Sequence, residues 1–295
     1  MSKNSNHSKN HRVAIVVECI LLFFIIATLI SIYVVGGMIG AFAWSTAIFV
    51  LAPISTIACI IYMVWIITRM IRKKEYKWII IHQVTFMMIA FPILMLFDLV
   101  TIPYPGKINV TPPVIFQNPV VGETVVFGGK SYRTHAMWPS ECYAYDILAK
   151  PYEVGSNNLE DYGIFGRDVV APIQGTILEV HDGEPDIIPN SEEFTSSFGN
   201  YIFMKIEETN TYLIFAHLKR DSICITVGDK VTPGIKLAQV GNSGTTSEPH
   251  LHFQHQQNDP TKMQFPIYSV GLPINFAYIY LGWNDNEINQ GCVLN

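Results

Sequence analysis

The sequence predicts a membrane-anchored chain: three transmembrane α-helices followed by an all-β domain of antiparallel sheets. Three observations carry that expectation. Residues 19–68 contain no Asp, Glu, Lys or Arg, and about 20 apolar residues suffice for one bilayer-spanning helix. After residue 126 the apolar residues fall into short runs parted by Gly, Asn, Asp and Pro, with no long 3.6-residue period. Charge divides at the same place: 8 Lys+Arg against 3 Asp+Glu through residue 99, then 11 against 21 in the remainder of the 295 residues. An acidic outer domain argues against nucleic acid as a partner, while the apolar spans make the lipid bilayer one.

Taken in order, residues 1–12 are polar, with Lys3, Lys9 and Arg12, and read as a disordered cytoplasmic tail. The three-helix anchor covers residues 13–100. Its first span is 13–35, with Glu18 near enough to the start to reach the interface. Gly36, Gly37 and Gly40 supply the break. The second span is 41–68, with Pro53 as a kink of the kind membrane helices tolerate. A basic loop follows, holding Arg69, Arg72, Lys73, Lys74 and Lys77. The third span is 78–100, with Trp78 as an interfacial anchor. His82 and Gln83 within it read as polar partners across the helices rather than transport groups.

A cleavable leader fits poorly, because a second span follows where a polar cleavage region belongs. A soluble helix bundle would need a charged outer face, which this run does not offer. Basic segments stay cytoplasmic, so the tail and loop place the N-terminus inside and the C-terminal domain outside.

Residues 101–125, with Pro103, Pro105, Pro112, Pro113 and Pro119, read as an extended linker. The β-runs lie at 124–127, 143–148, 175–180, 201–206, 212–218, 236–240 and 250–254. They belong to a domain at residues 126–260, with 261–295 as a C-terminal extension. The five cysteines, Cys19, Cys59, Cys142, Cys224 and Cys292, are scattered and contain no C-x-x-C. A zinc ribbon or thioredoxin-type site is therefore not expected.

The stretch 241–254, GNSGTTSEPHLHFQ, holds the clearest chemistry. On a strand, residues i and i+2 share a face, so His250 and His252 present both imidazoles to one spot. Neutral imidazole suits zinc, and a second imidazole beside a metal can move protons. Gly241 and Gly244 permit a tight turn ahead of the pair. Asp146 falls on the opposite face from Tyr143, Tyr145 and Ile147. It is either a turn residue at a strand end or a carboxylate that is paired or holds metal, because burying it alone is costly. His217 ends the run YLIFAHL and alone would read as a core histidine.

Several separate motifs together resemble the lysostaphin/LytM-type zinc metalloendopeptidases, in a divergent branch with the duplicated-hybrid-motif β fold. They are GRDVVAPIQGTI at 166–177, Ala216-His217-Leu218, VGDKV at 227–231, GNSG at 241–244 and PHLHF at 249–253. The resemblance implies a barrel-sandwich-like β peptidase domain that hydrolyses peptide bonds of bacterial peptidoglycan at the cell membrane. It implies Asp146 and His252 as zinc ligands, with His217 and His250 as catalytic histidines.

The family's usual third ligand lies four residues before the aspartate, where this chain has Cys142; His135 upstream resembles the ligand of the divergent branch. If residues 142–146 formed one strand, Cys142 would share the face of Asp146. Three protein ligands leave zinc an open position for a water whose pKa falls toward ~7. One histidine then moves its proton and another meets the developing oxyanion. Two alternatives stand beside this reading. One is an inactive peptidase-fold domain that binds wall or regulates other hydrolases. The other is a structural adaptor akin to biotinyl or lipoyl hairpin domains, which would have no need of Asp146, His217, His250 and His252 together.

Overall fold

The computed structural model describes residues 2–74, 77–106, 113–129, 132–263, 268–277 and 292–294. The chain divides into two compact units, Met1–Lys107 and Ile108–Asn295.

The first unit is helical. Helix α1 is Ser2–Ile30 and continues as a π-helical turn, Ser31–Val35. The polar residues expected as a disordered tail are thus its first turns. Two consecutive left-handed glycines, Gly36 (φ 66°) and Gly37 (φ 56°), make the break, a conformation costly for any residue bearing a Cβ. Helix α2 is Gly37–Thr46, and a π-helical turn, Ala47–Leu51, leads into α3, Ala52–Ile71. The π turn has a local cause. Pro53 has no amide hydrogen to offer the carbonyl four residues back, and the preceding Ala52 N–H donates to Ala47, five back.

Two stretches, Arg12–Val35 with 24 residues and Gly37–Ile71 with 35, are long and apolar enough to cross a membrane, by length and composition. The expected third span is not one helix. Helix α4, Lys77–Ala90, has 14 residues, about 21 Å at 1.5 Å per residue and short of a ~30 Å hydrocarbon core. A turn at Phe91 and Pro92 separates it from α5, Ile93–Leu96. Glu18 does not reach for an interface. Its carboxylate lies 2.6 Å from His82 Nδ1 and accepts from the Thr85 hydroxyl, tying α1 to α4. His82 therefore has the cross-helix partner expected of it. Residues 75 and 76 of the basic loop lie outside the described residues.

The second unit is mostly β. Its strands are β1 Ile115–Phe116, β2 Thr124–Gly128, β3 Tyr145–Leu148, β4 Asp168–Val170, β5 Gly175–His181 and β6 Asn200–Ile206. There follow β7 Thr211–Leu218, β8 Lys230–Val231, β9 Lys236–Gln239, β10 Leu251–Gln256, β11 Asn275–Phe276 and β12 Cys292–Leu294. Eight of them form an antiparallel sheet in the order β12-β2-β3-β10-β7-β6-β5-β8. A small antiparallel sheet pairs β4 with β9, and β1 pairs parallel with β11.

Strand alternation sorts the large sheet into two faces. One face packs Ile147, Leu213, Phe215, Leu251 and Phe253 against Val169, Leu237 and Ala238 of the small sheet. The other turns Asp146, His252 and their neighbours toward a cleft.

Phe116 and Phe276 are fully buried in the same core, each burial contributing up to ~3 kcal/mol. This corrects two expectations. The segment after residue 113 is part of the fold rather than a spacer, and within the stretch read as an extension Ile274 and Phe276 are core and Cys292–Leu294 is an edge strand. Tyr104, also read as linker, is buried in the first unit with its ring 5.7 Å from that of Trp44. Residues 107–112 lie outside the described residues.

Candidate metal centre

The centre begins with register. His252 in β10 stands directly opposite Asp146 in β3, and side chains so paired have Cβ atoms about 5 Å apart. His252 Nδ1 lies 3.3 Å from Asp146 Oδ1. His135 comes from a run of turns in which Ala136 N–H donates to Tyr132 and Trp138 N–H donates to His135. Its Nε2 lies 3.4 Å from Asp146 Oδ2, and its Nδ1 is buried with no hydrogen-bond partner. One ligand atom each from His135, Asp146 and His252 lies within 4.8 Å of the others. Two imidazoles and a carboxylate are a donor set that suits zinc. Two histidines and a carboxylate converging so closely fit a bound cation better than a purely structural cluster.

Cys142 is elsewhere. Residues 142–144 precede β3, so the strand alternation that would have aligned Cys142 with Asp146 does not apply. Its buried thiol faces the Pro139 carbonyl at 3.4 Å, and the converging group does not include it.

The remaining two histidines flank the group. Between the pairs Phe215–Ile202 and Leu218–Asn200, β7 has two residues where β6 has one. That bulge puts His217 at φ 60°. In a regular strand His217 would point away from Ala216, the residue opposite His252. The bulge turns it back instead, leaving its ring 4.7 Å from that of His250 and 5.9 Å from that of His252. His217 Nδ1 donates to the Ser243 carbonyl at 2.8 Å. His250 Nδ1 likewise donates to the Glu248 carbonyl at 2.7 Å, and its Nε2 lies 3.5 Å from Asp146 Oδ1. Both histidines thus commit Nδ1–H to a backbone carbonyl and leave Nε2 as the ring nitrogen available to the cleft.

Electrostatics follow from burial and charge. Burial alone would raise the Asp146 pKa, but His135, His250 and hydrogen bonds from His135 and His252 hold it well below the usual carboxylate range. Burial, with His250 and His252 beside it, holds His217 well below an ordinary histidine. Burial lowers His135, yet the Asp146 charge and hydrogen bond outweigh that and raise it. Tyr132, whose ring is 5.2 Å from that of His135, is pushed up to about 12 by burial and then by Asp146.

The five groups line a cleft of about 830 Å³, walled in part by Trp138, Phe198 and Tyr201. All five residues expected from the sequence come together here. Sequence reasoning missed Gln254, whose Oε1 lies 3.2 Å from His252 Nε2. The same i, i+2 rule that paired His250 with His252 would have found it.

Comparison with known proteins bears on the second unit. Residues 161–263 match the sequence model of Peptidase family M23; the matched segment contains His217, His250 and His252, while His135 and Asp146 precede it. An "Uncharacterized metalloprotease" of Buchnera aphidicola subsp. Baizongia pistaciae is 37% identical over 90 residues, 30% of this chain and 22% of that protein. "Peptidoglycan DD-endopeptidase ShyC" of Vibrio cholerae serotype O1 is 28% identical over 106 residues, 34% of this chain and 23% of that protein. The matched parts therefore span less than a quarter of either relative. Among solved structures, the catalytic domain of lysostaphin from Staphylococcus simulans aligns with 44% of this chain and 74% of its own, at 21% identity and a TM-score of 0.30.

Proposed function

We propose that the lysostaphin/LytM-type peptidase domain of this chain is a zinc metalloendopeptidase that hydrolyses peptide bonds of bacterial cell-wall peptidoglycan. The observation that carries the reading is the convergence of His135, Asp146 and His252 within 4.8 Å, in a cleft that also holds His217 and His250. His135 Nε2, the Asp146 carboxylate and His252 Nδ1 would hold the ion. Bound zinc supplies a Lewis acid that polarises a peptide carbonyl and lowers the pKa of water.

The protein's own groups do the rest. Asp146, kept ionised by its histidine neighbours, offsets cationic charge in the cleft. His217 is kept neutral chiefly by burial, and with Nδ1–H committed to Ser243 its Nε2 is a proton acceptor. His250 is arranged the same way by Glu248. One of the two takes a proton from water and passes it to the leaving amine; the other, protonated, donates to the developing oxyanion. The stretches Arg12–Val35 and Gly37–Ile71, with the broken helical segment α4–α5 as a third crossing, anchor the domain in the bacterial cell membrane, with the N-terminus cytoplasmic and the peptidase domain outside.

The test uses full-length purified protein and cross-linked peptidoglycan, with released peptides read by mass spectrometry. Zinc-dependent cleavage that a chelator abolishes is expected. Zinc binding without cleavage, together with retention on the wall, would instead select the binding-only reading, which rests on Cys142 standing at the family's usual ligand position.

A further inference from the structure

Beyond His252, β10 continues with two buried amides on the same face, at i+2 and i+4. Gln254 is 1% exposed and Gln256 0%. His252 Nε2 lies 3.2 Å from Gln254 Oε1, Gln254 Nε2 donates to Gln256 Oε1 at 2.7 Å, and Gln256 Nε2 donates to the Asn258 backbone carbonyl at 2.6 Å. We propose that these amides form a one-way relay, anchored at Asn258, that fixes His252 as its Nε2–H tautomer and so offers the Nδ1 lone pair to a metal. Gln254 and Gln256 are positioning residues in this scheme. The relay's purpose rests on the zinc reading above, but its tautomer does not.

The direction follows from chemistry at one end. A backbone carbonyl can only accept, so the Gln256 atom beside Asn258 is the amide nitrogen. Its oxygen then faces Gln254 and must meet the nitrogen of that amide. The oxygen of Gln254 is left facing His252, and only a ring N–H satisfies it. Each link inherits its orientation from the one before. Reversing any of them sets two acceptors or two donors face to face where no solvent can intervene, and unmade hydrogen bonds at buried groups are costly.

The alternative tautomer is a real competitor. With the proton on Nδ1, His252 would donate to Asp146 Oδ1, 3.3 Å away. Histidine and aspartate would then satisfy each other, and Nδ1 could not coordinate. The relay stabilises the arrangement in which both stay available to a cation, as the hydrogen-bond partners of metal-binding histidines commonly do.

The experiment uses full-length protein labelled with 15N-histidine in detergent micelles, metal-free at pH 8.5, with the His252 resonances assigned by comparison with His252→Gln. Wild type is expected to show His252 protonated at Nε2 alone. Gln256→Leu removes the anchor without touching His252; a mixture of tautomers and a zinc affinity weaker by roughly 10- to 100-fold are expected. Should that variant fail to fold, Gln254→Met and Gln254→Glu form a second pair. The first loses the acceptor facing Nε2 and should lose the tautomer; the second keeps an acceptor there and should restore it. An Nδ1–H tautomer in the wild type overturns the relay. So does an unchanged tautomer and zinc affinity in both Gln256→Leu and Gln254→Met. If the wild type binds no zinc, the peptidase reading falls while the metal-free spectrum still decides the relay.

Discussion

A histidine at φ 60° inside a buried strand stores roughly 1–3 kcal/mol of backbone strain, and β7 holds His217 there because the bulge aims its ring at the cleft. A core histidine would have no use for that strain. His217→Ala is expected to keep zinc and lose roughly 10²–10³ in hydrolysis rate, the scale of one transition-state hydrogen bond; an unchanged rate would make it structural. His250→Ala should likewise keep zinc and lose hydrolysis, whereas His252→Ala should lose both. Equal zinc loss in the two would sink that assignment of roles. The sequence displayed these residues unevenly. His250 and His252 were legible because a strand repeats every second residue, and Asp146 because a lone charge stands out in an apolar run. His135 lies in a run of turns, which repeats nothing, so only the family resemblance pointed to it.

Strand β10 joins the chemistry to the core: its even-numbered residues share one face, from which His252 enters the cleft, while Leu251 and Phe253 enter the hydrophobic cluster. His255 also leaves the cleft face. It is buried, with Nε2 2.8 Å from Thr211 Oγ1 and Nδ1 3.2 Å from the Pro273 carbonyl. Burial pushes its pKa from 6.5 down to about 4. A base whose pKa is depressed by folding binds protons more readily when unfolded, so its stability contribution is present above pH ~6.5 and is lost as pH falls toward 4. Between pH 7.5 and 5 the loss is about 2 kcal/mol. In thermal melts of metal-free protein, His255→Gln should lose less stability over that range than wild type; the same loss in both would remove His255 as a cause. At this scale the long strands β5, β6, β7 and β10 were legible from alternation. Strands β1, β11 and β12 were not, because two or three residues carry no period. Pairing β1 with β11 also joins segments far apart in the chain. The third expected span is not one continuous helix, for another reason. Hydropathy measures apolarity, which persists to residue 100, whereas Pro92 and the turn beside it end the helix.

For the whole molecule, the proposal sets an acidic peptidase domain outside a membrane held by an apolar N-terminal unit. Protease added to intact spheroplasts should remove the second unit and leave the first membrane-bound; full protection of the second unit would overturn that topology. Division of the chain into an apolar, basic part and an acidic β part was legible because composition changes where the fold does. The boundary was less so: prolines suggested a spacer through residue 125, but Val114, Phe116 and Val120 are core. The central claim is that His135, Asp146 and His252 hold zinc, and the most direct measurement is the zinc content of purified full-length wild type, His135→Ala and Cys142→Ser by elemental analysis. The account predicts about one zinc per chain in the wild type, the same in Cys142→Ser, and almost none in His135→Ala. Zinc kept by His135→Ala and lost from Cys142→Ser, or absent from the wild type, would contradict it.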